Sequence, residues 1–569
     1  MAYYHGTVVC FAVNLSVFIR IIKLALMQSS NKYFDVHKPV FFPAAVLIIA
    51  FIVITLSVGE PMEVFFDEAQ AAITENTGWL LVLSVNIFLI FGLMLAVSPM
   101  GKIRLGGQKA KPEFSTFAWF SMLFSAGMGI GLLYFSVAEP IMHFATPPLD
   151  NSSPREAAQA AFEFTFLHWG IHAWAIYAMV GLSLAFFTFN RKLPLSIRSV
   201  FYPLIGDRVH GWIGDVIDIV AVIATLFGLA TSLGFGVQQV AAGLHHLFDL
   251  PNETWFQVLL IALITGAATV SVVLGLDKGV RVLSELNIRI GVVFLLLVLF
   301  LGPTIFLLDS FTQNLGAYLQ DFFVISTWTE SYQGTEWQHA WTLVYWAWWI
   351  SWSPFVGLFI ARVSKGRTVR EFILGVMLVP SLLSFFWMTV FGGSAIHLDM
   401  MGASQIGEAV SKDVSTALFV MLEGYPLSFW TSLVGIVLVT SFFVTSSDSG
   451  SLVIDSITAG GKLDAPVGQR VFWALTEGAV AATLLLGGGL KAMQTAVIST
   501  GLPFALLLIV MCVSLYKGLQ NELNELKLQA SKRDQQAYTE LLRELIQSEQ
   551  ENEHYEKESQ VHPTDTGQS

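Results

Sequence analysis

Trp341-Thr342-Leu343-Val344-Tyr345-Trp346-Ala347-Trp348-Trp349-Ile350-Ser351-Trp352-Ser353-Pro354-Phe355 puts six aromatic rings into twelve positions of a stretch otherwise apolar enough to lie in lipid. At 3.6 residues per turn, Trp341, Tyr345, Trp348 and Trp352 follow one another on a single helical face, and Trp349 flanks that stripe. Ring faces are electron-rich, so converging rings attract a quaternary ammonium group that has no hydrogen to donate, at about 0.5–2 kcal/mol per contact. An interfacial belt or plain core packing would use the same residues, but belts sit at the ends of spans and these rings sit in the middle of one. Pro354 removes a backbone donor there, which predicts a break in the helix.

Working outward, the surroundings are those of a membrane protein. The chain has 569 residues, 54% of them hydrophobic and 13% charged, with a mean hydropathy of +0.64; a soluble fold of this size would rarely show that balance. Spanning helices need about 20 apolar residues. Twelve such stretches are centred near Ile49, Ile90, Gly129, Ile176, Leu226, Ile264, Leu297, Trp348, Phe385, Val437, Ala482 and Leu507. Basic residues gather after every even span: Lys102, Arg104, Lys109 and Lys111; Arg191, Lys192, Arg198 and Arg208; Lys278, Arg281 and Arg289; Arg362, Lys365, Arg367 and Arg370; Lys462 and Arg470. That alternation places these loops and both termini in the cytoplasm.

The expected organisation is therefore a cytoplasmic segment 1–40, an all-α polytopic domain 41–517 with twelve transmembrane helices, and a cytoplasmic tail 518–569. A further apolar run at 7–27, interrupted by Arg20 and Lys23, reads as part of an upstream extension, 1–26, before a second plausible start at Met27. In the tail a helix is expected around Leu526–Ile546, with Leu523, Leu526, Leu541, Leu542 and Leu545 able to dock on a neighbour, and disorder beyond Ser548. Cys10 and Cys512 are too few for a disulfide framework or a cysteine metal site. No nucleophile motif points to an enzyme, and the net charge of −12, concentrated in tail and loops, suggests no nucleic acid.

Span three carries Gly127, Gly129 and Gly131 at alternate positions within Ser125–Leu132, which predicts an unwound turn at mid-membrane; close helix packing through Gly127 and Gly131 is the alternative. Interruptions at corresponding places in two five-span halves, spans three to seven and eight to twelve, mark inverted-repeat transporters. Span four adds Trp169, Trp174 and Tyr177, and also His168 and His172, which are hydrogen-bonded core residues or proton carriers. Span ten concentrates hydroxyls in Ser441–Gly450 around Asp448; these suit Na⁺, or else bond back to helix carbonyls.

Trp346-Ala347-Trp348-Trp349-Ile350-Ser351-Trp352-Ser353-Pro354-Phe355-Val356-Gly357, the following Ala361–Glu371 and the glycine stretch closed by Ala138-Glu139-Pro140 resemble the betaine/choline/carnitine transporter family over roughly Lys38–Lys517. The resemblance implies a LeuT-like inverted repeat and a homotrimer in the cell inner membrane. It implies a box of Trp169, Trp174, Tyr177 and Trp349 around a trimethylammonium group, bordered by Trp348 and Trp352, with Trp341 and Tyr345 towards one end. The backbone of Gly127, Met128, Gly129 and Gly131 would complete the substrate site. One sodium site would use Ser125, Met128, Phe442, Thr445 and Ser446, and a second would lie near Phe355, Thr231 and Ser232. Choline-type relatives tend to carry aspartate where this chain has Gly131, so a zwitterionic betaine is expected. Sodium-independent relatives carry a basic residue in span five, and this chain has none between Ile213 and Asp277. The tail is more acidic than the basic tails of osmotic sensors in the family. The expectation is Na⁺-coupled uptake of a betaine-like solute, with no other cofactor. The alternatives are a sodium-independent or proton-coupled carrier or exchanger of choline, carnitine or ectoine and, more remotely, a membrane sensor.

Overall fold

The computed structural model describes residues 34–561, apart from 60, 128, 150–152, 274–276, 333, 335, 403–404 and 463–465. The apolar run at 7–27 and Met128 lie outside the described residues, as do the side chains of Lys278 and Arg281. In order, the principal elements are α1 (Lys38–Val58), α2 (Pro61–Val97), α3 (Thr116–Gly127), α4 (Ile130–Ala145), α5 (Pro154–Trp169), α6 (Ile171–Phe189), α7 (Trp212–Phe248), α8 (Thr254–Val273) and α9 (Asp277–Leu301). They continue as α10 (Thr304–Ser326), α11 (Glu336–Ala340), α12 (Thr342–Val363), α13 (Val369–Met400), α14 (Ile406–Lys412), α15 (Ala417–Glu423), α16 (Ser428–Thr458), α17 (Val467–Leu486) and α18 (Gly489–Val561). The only β-pairing among the described residues is an isolated bridge between Arg104 and Thr368.

Among the described residues, ten segments are long and apolar enough to cross a bilayer. The other two expected spans are span three, which is split into α3 and α4, and α17, whose Gln469, Thr476 and Glu477 lower its hydropathy and are buried inside the protein. The helix packing repeats with an offset of five spans. Span four (α6) packs on span eight (α12), and its counterpart, span nine (α13), packs on span three (α4). Spans five and ten (α7, α16) and spans six and eleven (α8, α17) pack on each other, and the contact of span five with span eleven matches that of span six with span ten. This self-mapping is the internal symmetry expected of two repeated halves.

The basic loops converge on one end. Leu105 donates its N–H to the Arg367 carbonyl and accepts from Gly366, both at 2.9 Å, while the Asn190 side chain bonds Gly106 at 2.8 Å and Arg104 at 3.1 Å. His37, just before α1, accepts from or donates to Asp215 at 2.7 Å and its backbone reaches the Thr458 carbonyl at 2.8 Å. At the other end, Asn252 meets Asp413 at 3.3 Å, joining two of the loops that are poor in basic residues.

Three local expectations need correction. Span eight runs unbroken through Pro354. Proline leaves the Ile350 carbonyl without its amide partner, and the Ser353 hydroxyl donates to that carbonyl at 2.7 Å, so the ladder is patched rather than opened. The real discontinuity of that span is more than three turns earlier, at Trp341 between α11 and α12. Span four, by contrast, is interrupted at Gly170, where a side chain would meet the Phe166 carbonyl at 2.4 Å and the Phe385 ring at 2.5 Å. The tail beyond Ser548 is helical to Val561, supported by the Gln547–Glu551 hydrogen bond and the Lys557–Glu553 pair at four-residue spacing. Residues Tyr516–Ser569 form a compact unit of their own, on which Leu541, Leu542 and Leu545 are exposed.

Candidate binding site

The glycine stretch of span three does unwind. α3 ends at Gly127, and Gly129 adopts an extended conformation as the N-cap of α4, bringing no side chain of its own to the first-turn amides. Beside this break lies a cavity of about 30 Å³, room for roughly two waters. It is lined by Gly129, Gly131 and Leu132 of span three, Trp169, Ala173, Trp174 and Tyr177 of span four, Trp348, Trp349 and Trp352 of α12, and Ser384 of α13. Eight of the ten residues expected at a substrate site therefore line one cavity. Of the other two, Met128 is outside the described residues and only the backbone of Gly127 is described.

The rings are held by their polar edges. Trp348 Nε1 donates to Ser232 Oγ at 3.1 Å, Trp349 Nε1 to the His168 carbonyl at 2.8 Å, Trp352 Nε1 to the Gly228 carbonyl at 2.8 Å, and Trp169 Nε1 to Glu139 at 2.6 Å. The His168 carbonyl is available because α5 stops at Trp169, one residue short of Gly170, so the break in span four supplies an acceptor for the box. With every one of these N–H groups satisfied, the indole faces are left for the cavity. Trp348 and Trp349 stack at 4.8 Å, Trp169 stands edge-on to Trp349 at 4.9 Å, and Tyr177 lies 6.2 Å from Trp349 and 5.4 Å from Trp174. A Cβ at position 131 would lie 2.5 Å from the Trp348 ring and 3.4 Å from that of Trp169. Glycine there is what lets the unwound backbone touch the indoles.

In the sequence Glu139 stands out only as part of the Ala138-Glu139-Pro140 match. The structure makes it the hub beneath the box: besides Trp169, it accepts from His168 at 2.7 Å, from His143 at 3.2 Å and from the Tyr345 hydroxyl, and all four side chains are buried. A carboxylate inside a membrane span was the available signal. His168 also meets Thr342 at 2.9 Å, whereas His172 packs between Phe322 and Trp346 with neither ring nitrogen hydrogen-bonded. Ser384 is likewise unmarked by any local pattern.

The residues expected around sodium are more scattered. Thr445 donates to the Ser441 and Phe442 carbonyls at 3.1 and 3.2 Å, so its hydroxyl is turned back onto its own helix; Ser446, its neighbour, is half-buried. Ser125 sits two residues before the end of α3. Thr231 donates to the Met493 carbonyl at 3.2 Å, Ser232 serves Trp348, and Phe355 packs edge-on against Trp352 at 5.4 Å.

Comparison with known proteins agrees with this architecture. Residues 39–524 match the profile of the BCCT, or betaine/carnitine/choline, transporter family. The chain is 50% identical over 499 residues to glycine betaine transporter 1 of Vibrio parahaemolyticus, covering 86% of this chain and 95% of that one. A glycine betaine/proline/choline/ectoine transporter of the same organism is 48% identical over 500 residues, 86% of this chain and 88% of that one. The glycine betaine transporter of Acinetobacter baylyi is 44% identical over 504 residues, 88% of this chain and 76% of that one. Multi-pass, all-helical, built on two repeated halves and matched along nearly all of its described length, the chain belongs to the betaine/carnitine/choline family of transporters and is not an enzyme.

Proposed function

We propose that the protein takes up a betaine-type quaternary ammonium solute by alternating access, coupled to Na⁺, and holds it in the cavity between spans three, four and eight. One observation carries the reading: the cavity is walled by indole and phenol faces, and the N–H donors of Trp169, Trp348, Trp349 and Trp352 are tied elsewhere, leaving π-surface for a trimethylammonium group. The amides at the start of α4 border the same space and suit a carboxylate, as helix N-termini do. A zwitterion finds a partner for each of its ends there. The names of the three relatives given above, each of which includes glycine betaine, favour the same class.

Na⁺ at the unwound span three, with the span-ten hydroxyls turned from their own helix to the ion, would favour the conformation in which the box is complete. Coupling is then a linkage between two binding equilibria. Uptake of radiolabelled glycine betaine into cells lacking their own betaine carriers, with external Na⁺ replaced by K⁺, tests this. Uptake is expected to collapse in K⁺. Equal uptake in both salts would refute sodium coupling, and no uptake in either would refute the substrate.

A further inference from the structure

We propose that Glu139 is the buried counter-charge of the aromatic cavity, so that the site accepts a net organic cation as well as a zwitterion. The inference rests on reading the cavity as a quaternary ammonium site. Glu139 is fully buried, and both of its oxygens are engaged: Oε1 by His168 Nδ1 at 2.7 Å and His143 Nε2 at 3.2 Å, Oε2 by Trp169 Nε1 at 2.6 Å and by the Tyr345 hydroxyl. The indole N–H can only donate, and the phenol and both imidazoles each have a proton to give, so the set matches an acceptor-only carboxylate. Glu139 brings a formal negative charge to the group.

That charge is one ring away from the cavity. Trp169 donates to Glu139 with its nitrogen edge and lines the cavity with its face, and Tyr345 bridges the same oxygen to Trp348 and Trp349, whose rings lie 6.1 and 5.9 Å from its own. A carboxylate on the N–H or O–H edge pushes electron density into the ring, and in a dry environment its field reaches the cavity weakly screened. Glu139 thus acts through its neighbours as a positioning and electrostatic residue. The aspartate that a side chain at position 131 would supply has no room, because a Cβ there already collides with Trp348. Glu139 provides the negative charge from behind the rings instead.

The test compares choline, a net cation, with glycine betaine, a zwitterion, by equilibrium binding to the purified full-length protein. The wild type is expected to bind both. Glu139→Gln is expected to weaken choline at least tenfold more than glycine betaine, and Glu139→Asp to keep the ratio of the two affinities within about threefold of the wild type. A residue that merely shapes the cavity would weaken both ligands alike, and equal losses in Glu139→Gln overturn the proposal. If Glu139→Gln does not fold, Glu139→Ala, which also removes the charge, decides by the same ratio: a loss of choline at least tenfold greater than that of glycine betaine supports the proposal, and equal losses overturn it. A wild type that binds glycine betaine and excludes choline overturns the counter-charge while leaving the proposed function standing. One that binds neither overturns the reading on which it rests.

Discussion

A methyl group at position 131 would press into the Trp348 ring at 2.5 Å, in a cavity already closed by stacked indoles. Overpacking of this kind costs about 1–3 kcal/mol, so Gly131→Ala is expected to lower glycine betaine affinity about tenfold, measured by isothermal titration. Unchanged affinity would show that span three does not touch the substrate. Five indoles wall the cavity, so a trimethylammonium group held there would lie against their faces. Saturating glycine betaine is therefore expected to change the intrinsic tryptophan fluorescence, and a spectrum indifferent to ligand would contradict that. The aromatic residues were legible in the sequence because helical periodicity alone puts Trp348 and Trp352 on one face. Glu139 was not read as functional, since its partners come from α4, α5 and α12 and only the fold brings them together.

Helix continuity was legible where several glycines fall together and illegible where a side chain repairs the helix or a lone glycine breaks it. The alternating glycines of span three mark a true break, while Pro354 marks none, because Ser353 reaches the carbonyl that proline orphans. Ser353→Ala is expected to lower stability by about 1 kcal/mol, the usual worth of a buried hydrogen bond, and a thermal melt in detergent would register it. Replacing Pro354 with alanine in the same chain restores the amide and should recover the loss; if Ser353→Ala melts like the wild type, the repair is not what holds this helix. Gly170 escaped notice because a single glycine between His168 and His172 carries no periodic signal. Its necessity comes from the nearby Phe166 carbonyl and from Phe385, more than two hundred positions away in the sequence.

Across the whole molecule, charge alternation anticipated the arrangement of the loops, and the offset of five spans in the packing was foreshadowed by the two halves. The loops bearing Lys102, Lys192 and Lys462 lie at one end and that bearing Glu408 at the other, so cysteines placed at the first three positions should react with a membrane-impermeant maleimide from the same side, and one at Glu408 from the opposite side. Labelling of Lys102→Cys and Lys462→Cys from different sides would break the topology. Composition could not show how the tail is built, because Glu- and Gln-rich sequence reads equally as disorder or as the solvated helix that continues to Val561. The most direct test of the account is uptake of radiolabelled glycine betaine by carrier-deficient cells expressing the wild type or Trp349→Ala at matched levels. The account predicts saturable uptake by the wild type and a loss of at least about tenfold in the variant, since the ring stacks on Trp348 and faces Trp169 across the cavity. Uptake by Trp349→Ala equal to the wild type would contradict it.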